Sequence, residues 1–251
     1  MSQILVIDVG NSRMKWALRG PKGWTARGAV FNQDIGSLAV RDWQNLERPV
    51  RAVGVNVAGE AARVRVEGQL SRWRLGVEWL TAAAEAGGVT NGYDVPGQLG
   101  PDRWASLVAA RRRAVAANEA QPRACIVANA GTAVTVDALD ASGVFRGGLI
   151  LPGVDLMLRA LADNTASLRQ NVGRFSDFPS NTPDALLSGA VQAACGAIEQ
   201  MRWRLRGDGP PITCYLGGGD AAGIAPHLAQ PVELVDNLVL EGVLVLALLQ
   251  R

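Results

Sequence analysis

A strand, a glycine-containing turn and a returning strand occur twice in this chain, once at its start and once near its middle. The first copy is the apolar run at 4–7, the turn DVGN at 8–11 and the run at 14–18. The second is the run at 125–128, the turn NAGT at 129–132 and the run at 133–139. The two turns are offset by 129 − 8 = 121 positions in a chain of 251 residues. A repeat at about half the chain length favours a duplicated architecture in which each half begins with a hairpin.

The rest of the chain alternates strand and helix patterns in both halves. Helical patterns cover 60–73, 104–117 and 182–206, and a final apolar helix closes the chain. Further strands are expected at 50–55, 147–151 and 212–216. This alternation predicts an α/β protein. The polar segment 118–122, which ends in proline, predicts the joint between two domains.

Composition excludes several classes of function. Hydrophobic residues make up 48% and charged residues 19%, and the formal charge of +2 is too small for a nucleic-acid footprint. The single histidine, His227, leaves no basis for histidine-rich zinc sites, and three cysteines without CxxC spacing are expected to be buried thiols. No signal peptide or membrane span is predicted, so a cytoplasmic protein without a membrane or nucleic-acid partner is expected.

The two turns have the chemistry of phosphate-binding loops. Glycine lets an anion approach backbone N–H groups, Asp8 ends a buried strand where it can hold hydrated Mg²⁺, and Lys15 on the returning strand adds positive charge. The second turn offers the same arrangement with the Thr132 hydroxyl. An ordinary hairpin turn would explain DVGN alone, but two matching loops could grip one polyphosphate.

A third glycine cluster at 217–219 follows a predicted strand and admits two interpretations. With Asp220 and the later Asp236 it fits a dinucleotide-binding fingerprint, although only about 15 residues remain after Asp236 for further strands. The alternative is a loop along the nucleoside end of ATP. The chain has no G-x-x-x-x-G-K-[ST] motif, which excludes the P-loop kinases.

The segments NGY at 91–93 and GPDRW at 100–104 supply a candidate acceptor site. Gly-Pro before Asp-Arg predicts a loop that enters a helix with Asp102 in its first turn. Asp102 could simply cap that helix. A carboxylate beside a guanidinium can also deprotonate a hydroxyl and hold an anionic acceptor during phosphoryl transfer.

Taken together, these segments resemble the type III pantothenate kinase family. The matching motifs run in family order along nearly the whole chain: DVGNS at 8–12, NGY at 91–93, GPDRW at 100–104, NAGTAVT at 129–135, GGLILPG at 147–153, NTPDALLSG at 181–189 and LGGGD at 216–220. The combination is far more specific than any one motif. The resemblance implies the actin-like ATPase and sugar-kinase fold: two duplicated ribonuclease-H-like domains, at 1–118 and 119–251, with an ATP cleft between them.

The resemblance also assigns roles to residues. It implies Asp102 as the catalytic base in the phosphorylation of pantothenate by ATP, the first step of coenzyme A biosynthesis, and it implies a homodimer. The residues it implies for pantothenate are Tyr93, Gly100, Pro101, Asp102, Arg103 and Thr182. Those it implies for ATP are Asp8, Val9, Gly10, Asn11, Ser12, Arg13, Met14, Lys15 and Thr132.

One position departs from the family pattern. Such kinases usually carry an acid where this chain has Asn129, and that acid goes with a bound potassium or ammonium ion. Asn129 offers an oxygen without charge, which puts the monovalent cation in question. Two other functions stay open: a transcription accessory factor built on the same fold, and a kinase for another small hydroxy acid.

Overall fold

The computed structural model describes residues 3–118, 120–164 and 173–250, and the chain forms two compact units. The first comprises Met1–Arg112 and Asn237–Arg251, and the second Arg113–Asp236. The C-terminal segment therefore belongs with the N-terminal half. The two domains at 1–118 and 119–251 that the family resemblance implies stay a prediction.

The regular elements alternate along the chain as expected for an α/β protein. The strands are β1 Ile4–Val9, β2 Arg13–Gly20, β3 Gly23–Phe31, β4 Arg51–Asn56, β5 Val77–Trp79, β6 Glu85–Ala86, β7 Val89–Asn91, β8 Cys125–Ala130, β9 Ala133–Leu139, β10 Val144–Pro152, β11 Thr213–Gly217 and β12 Val232–Leu234. The helices are α1 Glu60–Leu70, α2 Pro101–Ala117, α3 Val154–Asn164, α4 Thr182–Arg206, α5 Ala221–Ile224 and α6 Leu238–Leu249.

Both units contain a sheet of the same topology. Five strands of the first unit follow the order β3-β2-β1-β4-β5, and five strands of the second follow the order β10-β9-β8-β11-β12. In each unit the first three strands form an antiparallel meander. The first strand also pairs in parallel with the next strand of the unit, β1 with β4 and β8 with β11. This shared topology confirms the duplicated architecture that the two hairpins predict.

The constant offset of 121 holds for the first strand and the start of the turn but not for the returning strand. Asp8 pairs with Lys15, seven positions on, whereas Asn129 pairs with Thr135, six positions on. The second turn is therefore one residue shorter. An alignment at constant offset consequently misplaces the returning strand by one residue, which in a strand means the opposite face.

The first sheet owes its stability to a strand buried on both faces. Four residues of β1, Leu5, Val6, Ile7 and Val9, have no exposed surface, which explains the continuous apolar run. In contrast, β3 lies at the edge and alternates between exposed and half-buried positions. Its sequence, GWTARGAVF, has neither a continuous apolar run nor a strict alternation of apolar and polar residues, so no strand is predicted there.

Tryptophans fill the core beneath that sheet. Trp43 is fully buried, meets Trp16 edge-on at 6.0 Å between ring centroids and stacks on Trp73 at 5.5 Å. Both geometries are favoured by the ring quadrupoles. In the second unit the core lies between the β8–β9–β11 sheet and α4, and the buried thiols Cys125, Cys195 and Cys214 are free cysteines, as predicted.

The C-terminal helix α6 packs against β1 and β4. It is apolar on nearly every side, and Arg51 on β4 donates a hydrogen bond to the Ala247 carbonyl in its last turn (2.9 Å). Gly242 lets α6 approach α2 closely, since a Cβ there would lie 1.8 Å from the Ala105 carbonyl oxygen. None of the helices in the described parts of the chain combines the length and hydropathy that a membrane crossing requires.

The variant Gly242→Ala tests this helix contact. The added methyl group would meet backbone, which cannot rotate away, so we expect a loss of about 1–3 kcal/mol of stability, the usual cost of overpacking. The thermal midpoint should fall by about 2–4 °C for each kcal/mol. The matched control is Gly68→Ala on α1, where nothing lies within 4 Å of the new methyl group. An equal midpoint for both variants would contradict the close packing of α6.

Candidate active site

The first glycine loop lies at the carboxyl end of β1, between β1 and β2. Its backbone is held by Asn32, the first residue after β3. The Asn32 side-chain amide donates hydrogen bonds to the carbonyl oxygens of Gly10 (2.8 Å) and Asn11 (2.9 Å), and its backbone N–H donates to Ser12 (3.2 Å). Three consecutive carbonyls are thus bound from one side.

The carbonyls at both ends of this loop are also occupied. The Val9 carbonyl accepts from the Val57 N–H (2.9 Å), and the Arg13 carbonyl accepts from the Gly10 N–H (3.1 Å). Every carbonyl from residue 9 to residue 13 therefore accepts a hydrogen bond within the protein. A loop with its carbonyls engaged in this way is suited to meet an anion with N–H groups.

Asp8 places a carboxyl group immediately before this loop. Burial, together with the nearby Asp102 carboxylate, raises the pKa of Asp8 to about 7, and Lys15 opposes both effects. Lys15 is the cross-strand partner of Asp8 in the β1–β2 hairpin. The structure therefore brings together three of the predicted site residues, one of them, Asp102, from a distant part of the sequence.

Asp102 lies in the first turn of α2, as the sequence predicts. The adjacent Arg103 is 6% exposed, and its Nη1 donates a hydrogen bond to the Tyr93 hydroxyl (3.1 Å). The Arg103 guanidinium also lies over the Tyr93 ring, 5.8 Å from its centroid. Tyr93 thereby fixes a buried cation next to the candidate base.

The loop that carries Tyr93 is organised by Asn91. Its side-chain amide donates to the Ala83 and Pro96 carbonyls (3.2 and 3.1 Å), and its Oδ1 accepts from the Tyr93 N–H (3.1 Å). Asn91 is buried, at 8% exposure. The motif NGY therefore has a structural first residue and a third residue that faces Arg103.

Gly100 lies so close to Asp102 that no side chain fits between them. A Cβ on Gly100 would lie 2.6 Å from Asp102 Oδ1. The glycine of GPDRW is thus explained by the position of the carboxylate and not by backbone conformation, since Gly100 is not among the residues with positive φ.

The second glycine loop, in the other unit, follows β8. Its Thr132 carbonyl accepts from the Gly153 N–H and its Ala130 carbonyl from the Asp220 N–H, both at 3.0 Å. Gly153 approaches so closely that a Cβ there would lie 2.0 Å from the Gly131 carbonyl oxygen. The last glycine of GGLILPG is therefore part of this loop's support.

The third glycine cluster lies beside the same loop. Gly217 pairs with Asn129 at the ends of β11 and β8. Gly218 has φ +101°, and a Cβ there would lie 2.1 Å from the Ala130 carbonyl oxygen and 2.6 Å from Asn129 Oδ1. Only glycine satisfies both the conformation and this contact. The cluster therefore lies at the carboxyl end of β11 in a duplicated sheet and does not belong to a dinucleotide-binding unit.

Thr182 begins α4 in the second unit. The preceding residue, Asn181, caps the helix by accepting a hydrogen bond from the Asp184 N–H (3.0 Å). Thr182 lines an apolar cavity of about 880 Å³ between α3 and α4. Its proposed contact with substrate rests on the family resemblance.

The sequence does not predict the contact of Asn32 with the first loop. It also does not predict that Gly153 supports the second loop. Asn32 lies beyond a strand that the sequence does not reveal, so no pattern points to it. Gly153 belongs to a recognised motif, but its closeness to Gly131 depends on the pairing of β9 with β10.

The duplicated sheets, each with a glycine loop after its first strand, define the class of fold: the chain has the actin-like ATPase and sugar-kinase fold. Two solved structures support the fold alone. A Baf family protein from Campylobacter jejuni has a TM-score of 0.61 at 18% identity, covering 95% of this chain and 94% of that one. A polyphosphate/ATP-glucomannokinase from Arthrobacter sp. strain KM has a TM-score of 0.51 at 11% identity, covering all of both chains.

Sequence comparison identifies the family. A model of the family described as type III pantothenate kinase matches residues 4–204. A type III pantothenate kinase from Acidovorax ebreus (strain TPSY) is 46% identical over 248 residues, which cover 97% of this chain and 95% of that protein. The chain belongs to the type III pantothenate kinase family, as its motifs predict. Membership in a kinase family implies the use of ATP, typically with a divalent metal.

The variant Gly100→Ala tests the importance of the carboxylate position. The new methyl group would push the Asp102 carboxylate aside while leaving the backbone unstrained, so we expect kcat to fall by about tenfold or more at an unchanged thermal midpoint. Steady-state turnover of ATP measures this. Gly97→Ala, in the same loop with nothing within 4 Å of the new methyl group, is the matched control and should retain activity. Equal kcat values for the two variants would show that the Asp102 position does not matter.

Proposed function

We propose that this protein transfers the γ-phosphoryl group of ATP to the hydroxyl group of pantothenate, the first step of coenzyme A biosynthesis. The observation that carries the proposal is the meeting of two segments within one unit. The glycine loop at the end of β1 and the Asp-Arg pair at the start of α2 are close enough for Asp102 to raise the pKa of Asp8. A phosphate-binding loop and an acceptor site must be adjacent in a kinase.

In this proposal Asp102 is the general base. Its carboxylate accepts the proton of the attacking hydroxyl as the bond to phosphorus forms. Arg103 holds the carboxylate of pantothenate, which explains why a buried guanidinium is fixed in place by Tyr93. The proposed contacts with the acceptor are completed by Gly100, Pro101 and Thr182.

ATP is proposed to bind through the first loop, residues 8–15, and through Thr132 of the second loop. A divalent metal fits beside the first loop, because Asp8 and Asp102 place two mutually repelling carboxyl groups there. Asp8 would hold hydrated Mg²⁺ against the phosphates. The metal would supply charge neutralisation of the phosphates.

We also propose that the protein acts as a homodimer. Five large apolar side chains on β10, on α3 and just before α4 are exposed, namely Leu149, Ile150, Leu156, Leu161 and Phe178. Phe178 is 93% exposed, just before the segment that lines the cavity between α3 and α4. A second copy covering this surface would remove it from water. The molecular mass in solution decides this point.

Purified protein should consume ATP only when pantothenate is present, and Asp102→Asn should lower kcat by about 10²–10⁴-fold because an amide cannot accept the proton. A coupled ATP assay with a panel of hydroxy acids measures both. Turnover with a different acid would assign another substrate. DNA or protein binding without turnover would favour the accessory-factor function, and an Asp102→Asn variant within about threefold of wild type would make Asp102 a helix cap.

The second prediction of this proposal concerns Asn129. An acid at this position would repel the ATP phosphates, by about 4 kcal/mol for unit charges 4 Å apart at an effective dielectric of 20, unless a monovalent cation lay between them. Asn129 removes both the repulsion and the need for the cation. We therefore expect activity with little dependence on potassium or ammonium.

Asn129→Asp should create a dependence on potassium. The measurement is activity in sodium or Tris buffer against added potassium chloride at matched ionic strength. Stimulation of the unmutated enzyme by about tenfold or more would contradict this explanation, since neutral oxygens would then still bind the ion.

A further inference from the structure

The first residue after the third strand supports the glycine loop in each unit, but the two units do so differently. In the second unit this residue is Gly153, whose backbone lies directly against the Gly131 and Thr132 carbonyls. In the first unit it is Asn32, whose side chain binds two further carbonyls of the loop. Both residues donate a backbone N–H to the equivalent loop carbonyl, that of Thr132 or Ser12. The duplicated fold thus places a loop support at the same point twice.

Asn32 uses its full donor capacity on the loop. A primary amide has two N–H bonds, and those of Asn32 go to two adjacent carbonyls, of Gly10 and Asn11. The Asn32 carbonyl in turn accepts from Arg65 Nη1 of α1 at 3.4 Å. The loop is therefore connected to α1 through Asn32 and the Arg65 side chain.

The position of these carbonyls sets the direction of the loop's N–H groups. A planar trans peptide carries its oxygen and its N–H on opposite edges. The carbonyls of residues 10–12 face Asn32. The N–H groups of the same peptides therefore face away from Asn32, as an anion-binding loop requires. Without the amide, these peptide groups could rotate and present oxygen to a phosphate.

The amide is retained at a cost to stability. Its Oδ1 atom is buried and has no hydrogen-bond partner among the described residues. A buried acceptor without a partner destabilises a protein, so the amide brings the fold a penalty together with its two donated bonds. Residues that keep such a penalty are concentrated at functional sites.

We propose that Asn32 is a positioning residue for nucleotide binding, which holds the first glycine loop in the orientation that accepts the phosphates of ATP. The inference rests on the proposed function, since it takes that loop as the phosphate site. Asn32 touches neither substrate nor metal and acts only through the peptide groups of residues 10–12.

The test compares Asn32→Ala and Asn32→Asp with wild type. Loss of two hydrogen bonds to the loop should raise the KM for ATP by about tenfold or more while the KM for pantothenate stays within about twofold. Asn32→Asp should be worse than Asn32→Ala, because its charge would face the loop carbonyls and the phosphates. Calorimetric titration with magnesium and a non-hydrolysable ATP analogue should show the same loss in Kd.

The matched control is Thr25→Val on β3, which removes a side-chain hydrogen bond to the Leu18 carbonyl (3.2 Å) away from the loop. Its kinetic constants should equal those of wild type. A KM for ATP within about threefold of wild type in a folded Asn32→Ala overturns the proposal, as do equal rises in both KM values. Loss of the native tryptophan fluorescence in both Asn32 variants also overturns it, since Asn32 would then be structural.

These outcomes are distinct from failure of the proposed function. A wild-type protein that binds the ATP analogue but does not turn over pantothenate would refute the function and leave the analogue titration of Asn32→Ala to decide the positioning role. A wild-type protein that binds no analogue would refute both.

Discussion

The orientation of the peptide groups in the loop after the first strand of each sheet is the constraint on which the site depends. A phosphate is bound by N–H groups only if the carbonyls of the same peptides are held elsewhere. In the first loop all carbonyls from residue 9 to residue 13 accept hydrogen bonds from the protein. Most of these donors lie just beyond the strands of the sheet, since Asn32 follows β3 and Val57 follows β4.

Charge is the second constraint on the first unit. Burial and the Asp102 carboxylate both raise the pKa of Asp8. Such an arrangement destabilises the fold by itself, and in the proposed function a cation and a nucleotide offset this cost. The same reasoning accounts for Arg103, a buried cation whose Nη1 donates to the Tyr93 hydroxyl. The burial of these two charged groups therefore lowers the stability of the fold at this place.

The two units show how a duplicated fold diverges while it keeps one topology. The second hairpin is one residue shorter, and its loop is approached by backbone at Gly153 and at Gly218. The first loop is instead held by an asparagine side chain. Backbone approach requires glycine, whereas a side chain can span a wider gap. The glycine-rich motifs of the second half and their absence after β3 follow from this difference.

The sequence by itself determined the class of fold, the duplication, the two loops and the placement of Asp102 in the first turn of α2. These features depend on local patterns: apolar runs, glycine turns and a Gly-Pro helix entry. Tertiary structure alone decided the hydrogen bonds of Asn32 to the first loop, the edge strand β3, the packing of α6 with the first unit and the electrostatic contact of Asp8 with Asp102. Each of these joins residues far apart in the chain or belongs to an edge strand whose residues are exposed or half-buried. Local periodicity carries no information about such contacts, because they arise only when the strands have paired and the helices have packed.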